Sequence, residues 1–309
     1  MHALNIANDV CSTGLCDHRS AKRLTVHPRF QRGVTLIELM VGIAIGLLVV
    51  AVAMGALMVS RGVSGTVSDA SSIQQQAAYA MRVIGLQLRQ AGSLRLNLDP
   101  GTVATAEPYM APVAFETTVL PSAGTMESFN PTTHTLGGSA SPVSLTAGYR
   151  RFTEPVFTSA SAQSISRNCQ GGPADSSTDG RIESIFQLSG NELQCSGNGA
   201  AAQAIVQNVA NFQVRYLQQD TTTSPGIPTI KSVDATGVGT NWGQVQGVEV
   251  CLVLYGTESI DLPAGSNYTD CDGTAVDMST LTGARARRMH IAFRNVFQLR
   301  SQGLIGSVL

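Results

Sequence analysis

The chain has 309 residues, enough for one large or two small domains, and with 43% hydrophobic and 13% charged residues it resembles neither a disordered tail nor a highly charged cytosolic enzyme. A formal net charge of -1 gives no electrostatic footprint for binding nucleic acid through its phosphates. The charge is uneven: residues 1–33 hold Arg19, Lys22, Arg23, Arg29 and Arg32 against Asp9 and Asp17, so a basic leader precedes an acidic remainder.

From Leu39 to Val59 the sequence reads LMVGIAIGLLVVAVAMGALMV, without a charge. As a helix this crosses a hydrocarbon core about 30 Å thick. A secretory signal peptide has a shorter apolar stretch, about 7 to 15 residues, and then a small-residue cleavage site. Here the apolar run passes into SRGVSGTVSDASS without an A-x-A site, so an uncleaved transmembrane anchor is expected. Lysine and arginine stay cytoplasmic, which puts the leader inside and the rest of the chain across the membrane.

Glu38 stands just inside the start of this run, in RGVTLIELMVG. In one reading Thr35 and Glu38 form a T-x-x-E capping box at the helix start. In the other, Glu38 waits for a cation from another chain, because a charge in lipid costs on the order of 3 kcal/mol and is normally paired.

Basic residues, Gly33, VTLIEL and the long apolar run together resemble the type IV prepilin signature. The resemblance implies that a dedicated membrane peptidase cuts after Gly33 and methylates the new amino terminus at Val34. It also makes Glu38 the fifth-residue glutamate used in subunit assembly. Val34 departs from the usual phenylalanine, and the leader is longer than most. In a packed filament the Glu38 carboxylate of one subunit would meet the Val34 amine of its neighbour, so two costly charges compensate each other.

After Arg61, the residues Val63, Val67, Ala70, Ile73, Ala77, Ala80, Ile84, Leu88 and Ala91 recur at spacings of three and four, an amphipathic helical stripe on which a β-rich domain would pack. Gly62 and Gly65 are expected to loosen the helix, Gly92-Ser93 to stop it, and Asn97 to Gly101 to form a turn. The pilin resemblance implies a lollipop, one long helix whose second half is embedded in a globular head. The expected division is a leader over 1–33, a transmembrane half-helix over 34–60, an amphipathic half over 61–93 and a β-rich head over 94–309.

Beyond Pro100 the helical period gives way to alternating β-branched and polar residues, so the fold class is α+β with a mostly antiparallel head. Strands are expected at Val113 to Val119, Ile182 to Leu188, Glu192 to Cys195, Phe212 to Leu217, Val245 to Tyr255 and His290 to Leu299. A hairpin loop is expected at Ser189-Gly190-Asn191. The Ser/Thr/Gly-rich stretches Pro121 to Ser144 and Gln218 to Gly239 read as surface loops. LQLRQAGS at 86–93, NVANFQVRYLQQD at 208–220, WGQVQGV at 242–248 and RRMHIAFRNVFQLR at 287–300 resemble PilW-type minor pilins, and the first also the J-type pseudopilins of type II secretion. Trp242 is read as a packing residue.

Cys11 and Cys16 would leave with the leader, whereas Cys169, Cys195, Cys251 and Cys271 fall in the exported head, an even number in an oxidising compartment. Of the three connectivities, the sequential one, Cys169 with Cys195 and Cys251 with Cys271, is preferred. No C-x-x-C pair suggests zinc, and Asp270, Asp272 and Asp277 lack the further ligands of a calcium loop. No metal or cofactor is expected. There is no G-x-S-x-G elbow, P-loop or H-E-x-x-H, and His134 and His290 have no evident catalytic partner, so no enzyme is expected. Arg285, Arg287 and Arg288 read as a solvated face rather than a DNA contact.

The resemblance therefore implies a minor pilin that helps initiate type IV pilus assembly near the tip. Its partners would be a prepilin peptidase, an inner-membrane platform, other minor pilins and the major pilin. Its place would be the inner membrane, head in the periplasm, and then the pilus at the cell surface. The alternatives are a type II secretion pseudopilin and, from another class, a membrane-anchored periplasmic binding protein or enzyme.

Overall fold

A computed structural model of the protein describes residues 33–92, 94–96, 113–115, 129, 131–160, 162–174, 177, 179–220 and 229–300. The expected leader with Cys11 and Cys16, the turn at 97–101 and residues 116–119 of the first expected strand lie outside the described residues. The chain divides into two compact units, Met1–Ala56 and Leu57–Leu309.

Helix α1 (Leu36–Gln90) runs for 55 residues. Within the second unit its spacing of three and four brings Ile73, Ala77, Ala80, Ile84 and Leu88 onto one buried face, with Ala91 just past the end. Val67, also on the expected stripe, is 64% exposed, and burial begins instead at Asp69. Gly62 and Gly65 are both helical. The chain leaves the helix through Gly92, whose φ of 100° suits a residue without a Cβ, and the Gly92 N–H donates to the Gly148 carbonyl at 2.8 Å.

Beyond the helix follow β1 (Leu94–Leu96), β2 (Val113–Phe115), a single turn of helix α2 (Pro131–His134), β3 (Leu136–Ala140) and β4 (Val143–Arg150). Next come β5 (Thr153–Glu154), β6 (Gln163–Ser164), β7 (Arg181–Ser189), β8 (Glu192–Gly197), β9 (Gln203–Val206) and β10 (Val209–Asp220). The remainder is β11 (Thr229–Val233), α3 (Ala235–Val238), β12 (Val245–Tyr255), β13 (Asn267–Thr269), β14 (Ala275–Asp277) and β15 (His290–Gln298). Two antiparallel sheets carry the unit, one ordered β3-β4-β7-β8-β9 and the other β11-β10-β12-β15. One core gathers the buried face of α1, Leu145, Phe186 and Leu193 from the first sheet, and Phe212, Val250 and Leu252 from the second. The α+β class with a mostly antiparallel head is what alternation and helical period predict.

Two expected loops are corrected. Pro121 to Ser144 contains α2, β3 and the start of β4, and Gln218 to Gly239 contains the end of β10, β11 and α3. The LGGSA strand β3 hid behind its glycines. A Cβ at Gly138 would overlap the Tyr216 hydroxyl and come within 2.6 Å of the Ser144 carbonyl oxygen, so glycine here marks close approach. Strand β11 is an edge strand with mostly exposed side chains, tied to β10 by Lys231 and Asp220 at 3.5 Å, and so lacks the apolar alternation of a half-buried strand. The hairpin between β7 and β8 is tighter than a three-residue loop: Ser189 pairs with Glu192, leaving Gly190 and Asn191, with Gly190 at φ 60°.

Candidate functional site

The start of α1 is a reciprocal cap. The Thr35 backbone N–H donates to Glu38 Oε2 at 2.9 Å and its hydroxyl donates to the same oxygen at 3.0 Å, while the Glu38 N–H donates to Thr35 Oγ1 at 3.3 Å. Both local bonds to the carboxylate converge on Oε2. Among the described residues nothing donates to Oε1, so the cap leaves one carboxylate oxygen free for a further donor. Gly33 and Val34 precede the cap in non-helical backbone, with Val34 71% exposed. The capping reading and the pairing reading are thus compatible in one geometry.

Behind Glu38 the apolar side chains from Leu39 through Val52 to Met58 are exposed in this single chain. An apolar surface of this extent requires lipid or other helices around it. The helix is long and apolar enough to cross a membrane.

In the second unit the structure joins Cys169 to Cys195, with Cα atoms 6.5 Å apart, and Cys251 to Cys271, at 5.7 Å. The first bond ties the loop before β7 to β8. The second fastens the long connection between β12 and β15 onto the second sheet, helped by Asp270, which accepts from Asn211 Nδ2 at 2.9 Å, and by Arg294, which donates to the Cys271 carbonyl at 2.8 Å. Replacing Cys251 and Cys271 together by serine is expected to lower stability by about 3 kcal/mol, read by urea unfolding of the full chain in detergent. Less than about 1 kcal/mol would mean that the polar bonds alone hold this connection.

His290 lies in the same region, 5% exposed, with its ring stacked on Tyr268 at 4.9 Å and on Tyr255 at 5.7 Å. Its Nδ1 lies 2.9 Å from the Arg288 carbonyl oxygen, and Nε2 is buried without a partner. Burial pushes its pKa below the ordinary 6.5; the Arg288 carbonyl opposes that, Arg285 adds to it and Asp270 opposes it. The unfolded chain therefore takes up a proton near pH 6.5 that the folded chain refuses, so this contribution to stability is complete above that pH and declines as pH falls through it. Thermal unfolding between pH 7.5 and 5 is expected to show that decline, and His290→Gln to flatten it; equal slopes in the two proteins would contradict the assignment.

The other residues singled out in the sequence take structural places. Trp242 packs edge-on against Tyr216, ring centroids 5.0 Å apart. Asp272 accepts from the Thr274 hydroxyl at 2.7 Å and Asp277 from the Ser279 hydroxyl at 2.6 Å, local bonds that hold both carboxylates below the usual range. Arg285 donates to the Ala210 carbonyl at 2.7 Å and Arg287 to Asp261 at 2.6 Å, so two of the three basic residues are engaged within the fold. His134 closes α2, in an edge-on contact with Phe129.

Two buried polar residues of α1 escaped the sequence reading. Asp69, 4% exposed, accepts from the Thr257 N–H at 2.8 Å and its hydroxyl at 3.1 Å. Gln87, 6% exposed, accepts from the Ser184 hydroxyl at 3.0 Å and the Tyr149 hydroxyl at 3.4 Å. A signal existed in both cases. Asp69 stands four residues before Ile73 and Gln87 one before Leu88, beside the apolar stripe, where a polar residue needs partners from the sheets.

A capped carboxylate heading a long apolar helix, whose later turns enter a disulfide-bonded antiparallel β unit, is the framework of a type IV pilin-like protein. Residues 28–54 match the prokaryotic N-terminal methylation motif, and residues 175–301 match the family described as type IV pilus-assembly protein W. Together the two matches support a type IV pilin-like protein of that W type, the first at the start of α1 and the second over the later part of the β unit. Among solved structures, it overlaps a type IV-like pilin from Thermus thermophilus at 10% identity, over 74% of this chain and 95% of that one, with a TM-score of 0.36, too loose to carry an argument. No curated protein matches the chain.

Proposed function

We propose that this protein is a minor pilin that helps initiate a type IV pilus, made with a leader that is removed after Gly33 and methylated at Val34. The observation that carries the reading is the cap: Glu38 is fixed at the head of α1 with Oε1 free, inside the matched methylation motif. In the filament, Oε1 accepts from the Val34 amine of the adjacent subunit, so neither charge is left uncompensated in an apolar bundle. Residues 1–33 are the leader, 34–60 the transmembrane half of the helix, 61–93 its amphipathic half and 94–309 the periplasmic head, with Cys169–Cys195 and Cys251–Cys271 closed on export. The W-type match over the head favours a pilus over a secretion system. A head of about 215 residues suits the tip, where its bulk need not fit at every step of a shaft. The partners are then a prepilin peptidase, the inner-membrane platform, other minor pilins and the major pilin.

Intact-mass and amino-terminal peptide analysis, on membranes of cells with and without a prepilin peptidase, tests this reading. The expected product is a peptidase-dependent chain that begins at methylated Val34. A leader retained in both strains would leave an anchored periplasmic binding protein or enzyme as the better description.

A further inference from the structure

The face of α1 turned away from the core has its own pattern. Tyr79, Arg82, Leu86 and Arg89 follow one another at spacings of three and four, opposite the buried line of Ile73, Ala77, Ile84 and Leu88. Tyr79 is 58% exposed and Leu86 44%, and both arginines are exposed. Between residues 61 and 90 the single carboxylate is Asp69, which is buried on the other side and engaged with Thr257. The solvent face of this stretch therefore has no anion of its own, and its row from Tyr79 to Arg89 is apolar and cationic. Where the helix ends, Arg89 and Arg300 line a cleft of about 210 Å³ with Val296, Phe297 and Gln298. Among the described residues none of Arg82, Arg89 and Arg300 has an acceptor.

From this face we infer the chemistry of a partner: Tyr79, Arg82, Leu86 and Arg89 seat an acidic amphipathic helix of a different subunit. The inference rests on the reading of the chain as a filament subunit. Arg82 and Arg89 stand about 10 Å apart along the axis, so the facing helix carries carboxylates seven residues apart with apolar residues between them. The cleft lined by Arg89 and Arg300 holds a carboxylate at the end of that row. A second copy of this chain, laid face to face, would set guanidinium against guanidinium, which opposes homotypic pairing. Tyr79 and Leu86, the two large exposed side chains that alternate with the arginines along the row, favour a helix over a nucleic acid, whose backbone offers phosphates and no apolar ridge.

The test uses the full chain in cells that assemble the filament, with a photo-crosslinking phenylalanine derivative in place of Tyr79 and the adduct identified by mass spectrometry. The expected adduct is a helical segment of another protein with acidic residues a heptad apart. Arg82→Glu with Arg89→Glu is expected to reduce the adduct at least about tenfold, and reversing the facing acids to arginine to restore it. The neutral pair Arg82→Gln and Arg89→Gln, which keeps helix-forming side chains, is expected to reduce it several-fold. An adduct with a second copy, a nuclease-sensitive adduct, or a yield indifferent to charge reversal overturns the inference. No adduct from a processed, filament-borne chain overturns it while leaving the pilin reading intact; an unprocessed chain absent from filaments overturns both.

Discussion

Glu38→Ala is expected to leave the chain inserted, cut after Gly33 and methylated, yet to reduce its incorporation into filaments on the order of a hundredfold. The alanine removes the charge and the carboxylate's half of the cap, leaving the backbone N–H of residue 38 on Thr35 Oγ1, so in the proposed pairing the Val34 amine of the neighbour enters an apolar bundle with no counter-charge. Leaving one partner of a buried pair uncompensated costs about 3 kcal/mol or more, which corresponds to that factor. The cap alone contributes about 1 kcal/mol, and its loss at a helix otherwise held by lipid does not account for exclusion from the filament. Glu38→Gln separates the two roles. A glutamine at this position keeps the reciprocal cap, because its carbonyl oxygen accepts from the Thr35 N–H as the carboxylate does. Immunoblots of sheared filaments against membranes measure the partition. If Glu38→Gln is incorporated as well as the wild type, capping is the whole role of Glu38 and the charge pairing is wrong.

The amino-terminal signature was legible because its parts are local: a cap spanning four residues, a run without charge and a basic flank. Fold class was legible for the same reason, since helical period and strand alternation are carried by near neighbours. What stayed hidden depends on residues distant in the chain. Strand β3 reads as a loop until Gly138 is seen under the Tyr216 hydroxyl, and β11 lacks apolar alternation because it is an edge. The polar contacts of α1 are of the same kind: Asp69 meets Thr257 and Gln87 meets Ser184 across 188 and 97 residues of sequence. Periodicity marks the face of a helix that is buried, but it does not say which hydroxyl or backbone N–H will be waiting there. The outward row of Tyr79, Arg82, Leu86 and Arg89 could be read from spacing, yet only the structure shows that among the described residues no carboxylate answers the arginines.

Gly256→Ala is expected to lower the stability of the chain by about 3 kcal/mol, because the new methyl group would occupy the place of the Asp69 carboxylate. Asp69 is nearly sealed, with Oδ2 buried against Gly256 and Oδ1 holding both the N–H and the hydroxyl of Thr257. To admit a Cβ the carboxylate must rotate, and in doing so it gives up two charge-assisted bonds without reaching water. The effect reaches further than one contact, since Gly256 also donates to the Met289 carbonyl at 2.9 Å and opens the connection that carries Cys271 and leads to His290. In a unit of this size such a loss corresponds to a fall in Tm of about 6–12 °C, measurable on the full chain in detergent. A double-mutant cycle locates the cause: in the presence of Asp69→Ala, the alanine at 256 meets no carboxylate, so its further cost should fall below about 1 kcal/mol. If Gly256→Ala is as costly without the carboxylate as with it, the strain lies in the backbone between β12 and the Met289 carbonyl, and Asp69 does not set the position of this connection on α1.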